Sequence, residues 1–567
     1  MKTQSPSKPN LLRSTLFFGS LGVLLSSACL VSKAADSDVW LESVLELDLL
    51  DYKELILGDD ETRKRTMGFN PRASMAYHAG DVYFAYQHDI YSVPFSFGDN
   101  ESAARIDIPR PELTFYTRLH RVHDPGVRDE LILLILDMQK LKSDPEDAAK
   151  TFFWIRDGGE RLEPAGDQFV RYLDNPGGYT NLRMSKVFAA RGKVFANIGL
   201  GPHELWVASD WEGPWEGLIS DHWGHSGQTG AQFFIDPDDG LVVTGGLGWH
   251  ADLGRGVLAD NFMEWQEEFR WLERDEIEFP SAAENLPDFR AFQRFARNAL
   301  TKTVFAGGGG WILRSTDAAQ SFEAVLYPPY SAEPRGEARG PSVGLDPDDP
   351  SHFPHFRAIA FPTEHAHFML VGGHEPYFTH QLYTEHHARA EVYFSWDDGL
   401  TWTRITEQLP KSDAILSPIL FLENMPDGHL YLGRLQFRTP PDPEEDPFRP
   451  FDPYLAIYRV HLPDPAAAFR GMTLRPEGWR HGDAFGELYT AWYPWTWNPE
   501  QGVWTFVSDA PEGFWSWDPD LGWLWSSETV YPYLYSATRD GYLFYMRGTS
   551  APRSFYDFVE DEWITDS

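Results

Sequence analysis

Between residues 65 and 462, apolar and polar positions alternate with a period of two, in short runs broken by glycine, histidine, proline and aspartate. Residues 81–93, 193–215 and 303–322 each hold two such runs around a turn, and further pairs centre on 131–156, 241–258, 368–402 and 427–460. Period-two alternation bounded by turn residues is the pattern of β-strands. Seven hairpins spaced by roughly 55 residues fit four-stranded sheets repeated radially, so the pattern predicts an all-β chain with a propeller of about seven blades over 45–475. A helical period over 262–275 (FMEWQEEFRWLERD) predicts a helix inserted between blades. The proline- and acid-rich stretch 436–453 predicts a long loop.

After residue 480 the pattern changes. Residues 485–563 hold 23 aromatic side chains, enough to put a ring on many alternate strand positions of a separate small β-module over 480–567. The segment is internally duplicated. Residues 485–489 align with 521–525, 493–497 with 531–535, and 502–506 with 541–545. Ala510-Pro511 with Phe514-Trp515 aligns with Ala551-Pro552 with Phe555-Tyr556. Alternation places the rings on one face of each strand. That face either fills the core a small module needs or stacks on sugars.

Three turns carry a motif. Ser395-Trp396-Asp397-Asp398-Gly399-Leu400-Thr401-Trp402 fits Ser/Thr-x-Asp-x-Gly-x-x-Trp at every fixed position. Ser315-Thr316-Asp317-Ala318-Ala319-Gln320-Ser321-Phe322 fits with Ala for Gly and Phe for Trp, and Ser209–Trp215 is looser. Ser and Asp side chains hold turn amides, Gly supplies a positive φ, and the aromatic packs under the hairpin. The motif resembles the Asp-box, or BNR, repeat of sialidase-like and sortilin-like β-propellers, with structural roles for Ser315, Asp317, Phe322, Ser395, Asp397, Gly399 and Trp402. Phe234–Asp239 and Gly344–Asp349 are similar to the strand openings of those repeats. The aromatic segment resembles the Trp/Tyr-rich repeats appended to some exported bacterial proteins.

In that family the Asp box joins the third and fourth strands of a blade, so the turn between the second and third strands lies at the opposite end. Those turns carry His88, His203-Glu204, Trp249-His250 and His374-Glu375, and the last blade offers Arg434 directly after its strand. Histidine and carboxylate in these turns suit proton transfer or hydrogen bonding to a ligand; the alternative is a set of solvated turns. True sialidases carry an early Arg-Ile-Pro motif, from which Arg105-Ile106-Asp107-Ile108-Pro109-Arg110 departs. No sialidase residue is therefore carried over. His365-Ala366-His367 would place two rings on one strand face, but there is no His-Glu-x-x-His, and neither a metal nor a cofactor is expected.

Charge and the N-terminus narrow the setting. The formal charge of −37 argues against nucleic acid as a partner. Lys2, Lys8 and Arg13 precede an apolar stretch, 15–31, and Ser32-Lys33-Ala34 supplies small residues. This pattern reads as a signal peptide over 1–34 and an exported chain. The single cysteine, Cys29, lies inside that stretch and offers an alternative lipoprotein processing site. No later run is long and apolar enough for a membrane span. Two functions stay open. One is an exported scaffold recognising a glycan or protein, attached through its aromatic module. The other is a glycan-active hydrolase or lyase with Glu204, Glu375, His203 and His374 as catalytic candidates.

Overall fold

Each of the seven hairpins supplies the second and third strands of a small sheet, and the seven sheets are arranged as a seven-bladed β-propeller; six are four-stranded and antiparallel, and the fifth gains a short outer strand, Ile277–Glu278, that pairs parallel with Phe322–Leu326. In this computed structural model the described residues are 39–48, 73–86, 89–95, 104–106, 116–124, 127–136, 152–156, 161–164, 183–199, 203–211, 213–220, 232–245, 253–279, 292–308, 311–326, 355–362, 365–374, 390–409, 419–425, 427, 429–438, 452–462, 469, 472–475, 478–510 and 513–566. The segment 1–34, with Cys29, and residues 344–349 lie outside them.

The inner strands are Ala73–His78, Tyr116–Asp124, Arg183–Ala190, Gln232–Ile235, Phe292–Arg297, His355–Ala360 and Ile419–Asn424, for blades 1 to 7 in chain order. Each touches the next, and the seventh touches the first, so the ring is closed. Trp40–Asp48 pairs antiparallel with Asp452–His461 and completes blade 7 from the N-terminal side. Trp40 stacks on His461 with ring centroids 3.7 Å apart, and His461 Nε2 lies 2.6 Å from Glu42. The two ends of the propeller are thus tied by one strand, which closes the edge that an open sheet would leave.

The blades pack face to face, so their middle strands are buried on both sides. Val194 and Ala196 join one interblade core, while Phe195, Leu205 and Val207 join the next. Second strands therefore read as nearly continuous apolar runs, as in Leu241–Gly245. Close packing also fixes three glycines. A Cβ on Gly245 would lie 2.6 Å from the Phe292 carbonyl oxygen, one on Gly307 3.0 Å from that of Phe356, and one on Gly372 3.0 Å from the Ile419 side chain. Phe292, Phe356 and Ile419 each precede a β-bulge in the inner strand of the following blade. Three successive blade contacts thus use one device, a glycine seat under the next blade's bulge.

The two motif turns are nearly superposable in their bonding, and both join third to fourth strands. Ser315 Oγ accepts from Ala319 N at 2.9 Å, and Asp317 accepts from Ser315 Oγ, Gln320 N, Ser321 N and Ser321 Oγ. Ser395 Oγ accepts from Gly399 N at 2.8 Å, and Asp397 accepts from Ser395 Oγ, Thr401 N and Thr401 Oγ1. Ala319 takes φ +61°, the left-handed conformation that Gly399 adopts at the same place in its turn. Phe322 is buried in the core between blades 4 and 5, and Trp402 packs half-buried against the next core.

Three local expectations are corrected. The helix over 262–275 is absent, and Trp265–Trp271 is instead the outer strand of blade 4. Trp265, Phe269 and Trp271 share one face and press on Gly254 and Gly256 of the neighbouring strand, so ring packing overrides helical period. The stretch 436–453 is not all loop, because strands run on to Arg438 and restart at Asp452. Asp236–Asp239 is a turn leaving an inner strand rather than the opening of one, tied by Arg297 to Asp236 at 2.9 Å and to Asp239 at 2.7 Å.

The C-terminal residues form a single eleven-stranded antiparallel sheet, a meander from Thr473–Arg475 to Glu562–Thr565. Its inner face holds Phe485, Leu488, Val507, Phe514, Leu524, Leu534, Leu543, Tyr545 and Phe555. The duplication is real but slips by one residue in one place. Thr505 and Val507 turn inward, as do Leu543 and Tyr545, so Trp504 is the equivalent of Tyr542 rather than of Leu543. A one-residue shift exchanges the faces of a strand.

Candidate functional site

At the end of the propeller opposite the motif turns, the predicted residues fall in two groups. His88, Trp249, His250 and Glu375 lie outside the described residues. His203 and Glu204 open the third strand of blade 3, and His374 ends the second strand of blade 6, which places all three backbones at this end. Arg434 lies within a strand, Leu430–Arg438, rather than after one. It is 4% exposed and sits beside Tyr454 and Tyr458, and burial holds its guanidinium below the usual pKa.

The same end contains a residue that the alternation does not advertise. Arg294 stands on the inner strand of blade 5, next to the bulge that follows Phe292. Its Nε is buried with no hydrogen-bond acceptor among the described residues. Burial depresses its pKa, and Glu423 on the inner strand of blade 7 opposes that effect. An enclosed N–H without an acceptor costs stability, and perturbed charged groups concentrate where a protein does chemistry or binds. Nothing in the periodicity separates Arg294 from Arg297, which is locked to Asp236 and Asp239.

His365-Ala366-His367 is a turn and not a strand. It is the junction between propeller and C-terminal sheet, which belong to one compact unit, Trp40–Ser567. Ala366 N donates to the Ala491 carbonyl at 2.6 Å, and the His367 ring meets the edge of Trp492 at 5.4 Å. Burial holds His367 below its ordinary pKa against the pull of Asp398 and Asp397. Among the described residues no group of His, Cys, Asp and Glu could hold a metal ion. No helix among them is long and apolar enough to cross a membrane.

The largest chemical feature is the outer face of the C-terminal sheet. Cross-strand pairs run Trp497 to Trp504, Trp495 to Phe506, Phe506 to Trp517, and Trp517 to Trp523. They continue as Trp515 to Trp525, Trp525 to Tyr535, Tyr535 to Tyr542, and Phe544 to Tyr556 to Trp563. Neighbouring rings meet edge-on or tilted, as Trp495 with Phe506 at 5.5 Å and Tyr535 with Tyr542 at 5.5 Å. The core is complete without them: no described tryptophan of this sheet is buried. Trp504, Trp523, Tyr533, Tyr542, Phe558 and Trp563 are 36% to 55% exposed. The sequence showed the alternation, but only the register shows which alternate set faces solvent.

No family model matches the chain, and no curated protein matches it. Solved structures give distant likenesses. The extracellular domain of a hybrid two component system from B. thetaiotaomicron is 11% identical with a TM-score of 0.39; the match covers 93% of this chain and spans 53% of that one's length. A GH74 enzyme from Niastella koreensis is 12% identical with a TM-score of 0.37, over 87% of this chain and 72% of that one. A member of the duf4221 family from Bacteroides vulgatus is 11% identical with a TM-score of 0.32, over 76% of this chain and all of that one. At TM-scores this low none of them bears on activity or ligand.

Proposed function

We propose that this chain is an exported recognition protein that holds a polysaccharide on the outer face of its C-terminal sheet, with the propeller as the body that carries it. One observation carries the reading. A sheet with a complete core of its own spends nearly every outward position on a ring and leaves six large rings open to solvent. Contiguous exposed apolar surface of this kind marks a binding face. Rings supply flat apolar platforms for the C–H faces of sugars, and tyrosine hydroxyls and indole N–H groups supply polar contacts beside them.

The bonding of the two motif turns supports kinship with Asp-box propellers, and the basic then apolar N-terminal stretch supports export. His203, Glu204 and His374, with His88, Trp249, His250, Glu375 and Arg434, belong to the proposal as a second contact region at the opposite end of the propeller.

The test is retention of the full chain by insoluble bacterial, plant and fungal wall polysaccharides. Wild type is expected to be retained by at least one. A Trp504→Ala, Trp523→Ala, Tyr542→Ala variant of unchanged melting temperature is expected to wash through. Full retention of that variant, or no retention of wild type on any polysaccharide, overturns the reading.

A further inference from the structure

Two hairpins carry the same constellation on the outer face of the C-terminal sheet. Tyr535 and Tyr542 stand opposite each other on the strands Tyr533–Ser536 and Gly541–Tyr545. Asp540, in the turn between them, accepts from the Tyr535 hydroxyl at 2.5 Å. Tyr556 and Trp563 stand opposite each other on Ser554–Asp557 and Glu562–Thr565, and Asp561, in the turn between them, accepts from the Tyr556 hydroxyl. In both hairpins the acid follows the tyrosine by five residues and precedes the second ring by two. Asp540 and Asp561 are exposed, as are Tyr542 and Trp563. The ring pairs meet edge-on at 5.5 Å and 5.4 Å, and exposed Phe558 widens the second group from 5.1 Å beside Tyr556. Tyr542 lies level with Tyr535, whereas Tyr556 lies level with Phe544, so the second group is offset from the first by two strands and two residues. They are two separate places on the face.

The charge around these rings has one sign. Residues 473–566 hold fifteen acids, five arginines and no lysine. Arg475 pairs with Glu487, Arg539 with Asp557, Arg547 with Glu500, and Arg553 with Asp518 and Asp566. Arg480 is buried and donates to Thr490 Oγ1 and the Phe469 carbonyl. Every arginine is therefore neutralised or enclosed, while exposed Glu560 and Glu562 flank Asp561. Such a rim repels anionic polymers and attracts cationic ones, and ring faces add cation–π attraction. Rings 5.1 to 5.5 Å apart touch one another. They present open faces and leave no gap that would close round a small ion. The arrangement suits a flat apolar group with a positive charge at its side, as in a pyranose ring bearing an ammonium group.

Resting on the polysaccharide reading above, we infer that Tyr535, Asp540 and Tyr542, and again Tyr556, Asp561 and Trp563, form two equivalent sites for a cationic amino-sugar polysaccharide, the rings taking the sugar face and the aspartate its ammonium group.

The probes are three soluble β-1,4-linked polymers that differ in charge: polyglucosamine, glycol chitin as its N-acetylated counterpart, and hydroxyethylcellulose. Each is titrated calorimetrically into the full chain at about pH 5.5, where carboxylates are ionised and sugar amines protonated. Polyglucosamine is expected to bind at least about tenfold tighter than either neutral polymer, and to weaken as salt is raised. Asp540→Asn and Asp561→Asn remove the charge but keep an acceptor for the tyrosine hydroxyl. Each is expected to weaken polyglucosamine binding about threefold and the two together about tenfold, because both sites act on one polymer. Trp563→Ala is expected to weaken it about fivefold or more, as loss of one stacked ring does elsewhere, and Trp563→Phe to restore most of it. Glu528→Gln removes one exposed charge at the opposite end of the strands and is expected to change nothing. Melting temperatures establish that each variant is folded. Equal affinity for the neutral polymers, full polyglucosamine binding by the double aspartate variant, or an equal loss in Glu528→Gln overturns the amino-sugar sites while leaving polysaccharide recognition standing. Binding to polylysine or tetramethylammonium but to no polysaccharide, or no binding at all, overturns both.

Discussion

Replacing Arg553 by methionine is expected to cost about 3–5 kcal/mol of stability, the usual penalty for removing one partner of a buried ion group. The side chains of Arg553 and Asp518 are 2% and 0% exposed, with Nη1 2.7 Å from Oδ2. Arg553 Nε and Asp566 also pair, and the Arg553 backbone N donates to Asp566 Oδ1 at 2.6 Å. Methionine fills a similar volume but leaves two carboxylates without their cation, one of them fully enclosed. Asp518 also holds the amides of Asp520 and Leu521 in the turn that leads into Trp523, so the lock braces that turn as well. Arg553→Met combined with Asp518→Asn removes the enclosed charge yet keeps an oxygen for the turn. The pair is therefore expected to cost less than the sum of the single changes by at least about 1.5 kcal/mol. Urea unfolding followed by tryptophan fluorescence measures all four proteins of the cycle. An Arg553→Met cost below about 1 kcal/mol, or strict additivity in the cycle, would refute the assignment of this group as a desolvated lock.

Asp317→Ala is expected to cost about 1–2 kcal/mol, since four short bonds are lost at an exposed turn. Burial raises the Asp317 pKa, but bonds from Ser321, Ser315 and Gln320 outweigh it and leave the group below its ordinary value. Its contribution is thus present above about pH 3.9 and is lost as pH falls through the lower folded pKa. Unfolding of wild type and variant at pH 7, 4 and 2.5 checks this, because the difference must shrink only in acid. Gly245→Ala drives a methyl to 2.6 Å from a carbonyl oxygen and 2.8 Å from the Phe295 ring. It is expected to cost about 2–3 kcal/mol or more, whereas a Cβ on Gly80 meets nothing within 4 Å and there only the φ of +100° opposes alanine, about 1–2 kcal/mol. Equal melting temperatures for the two variants would contradict the seat. Arg294→Met removes an enclosed Nε–H that has no acceptor among the described residues and is expected to raise stability by about 1 kcal/mol; a lowered melting temperature would show that the guanidinium contributes net stability in the folded protein.

Much of the architecture was legible along the chain because it is local. Alternation and turn residues located all seven central hairpins, since a strand buried on both faces between blades must be apolar and a tight turn must carry Gly, Asp or Pro. The motif turns were legible for the same reason: Ser, Asp and the left-handed residue lie within five positions and bond one another. Outer strands were not. Trp265–Trp271 carries a helical period, and only Gly254 and Gly256 on the adjacent strand explain why it lies flat. Trp40–Asp48 pairs with a strand some 400 residues away, a partner no local pattern can name. In the aromatic sheet, composition established that rings alternate, but the choice of face depends on register, which a shift of one residue inverts. Only the tertiary pairing puts Trp504, Trp523, Tyr542 and Trp563 together on the solvent face of the sheet, each two residues out of register with the one before. The same holds for Arg294 and Arg297, three residues apart on one strand: the fold gives Arg297 two carboxylate partners and leaves the Arg294 Nε enclosed with no acceptor among the described residues. Charge satisfaction is a property of what surrounds a side chain in space, so sequence determines the strands and turns and tertiary packing decides which groups are left to bind.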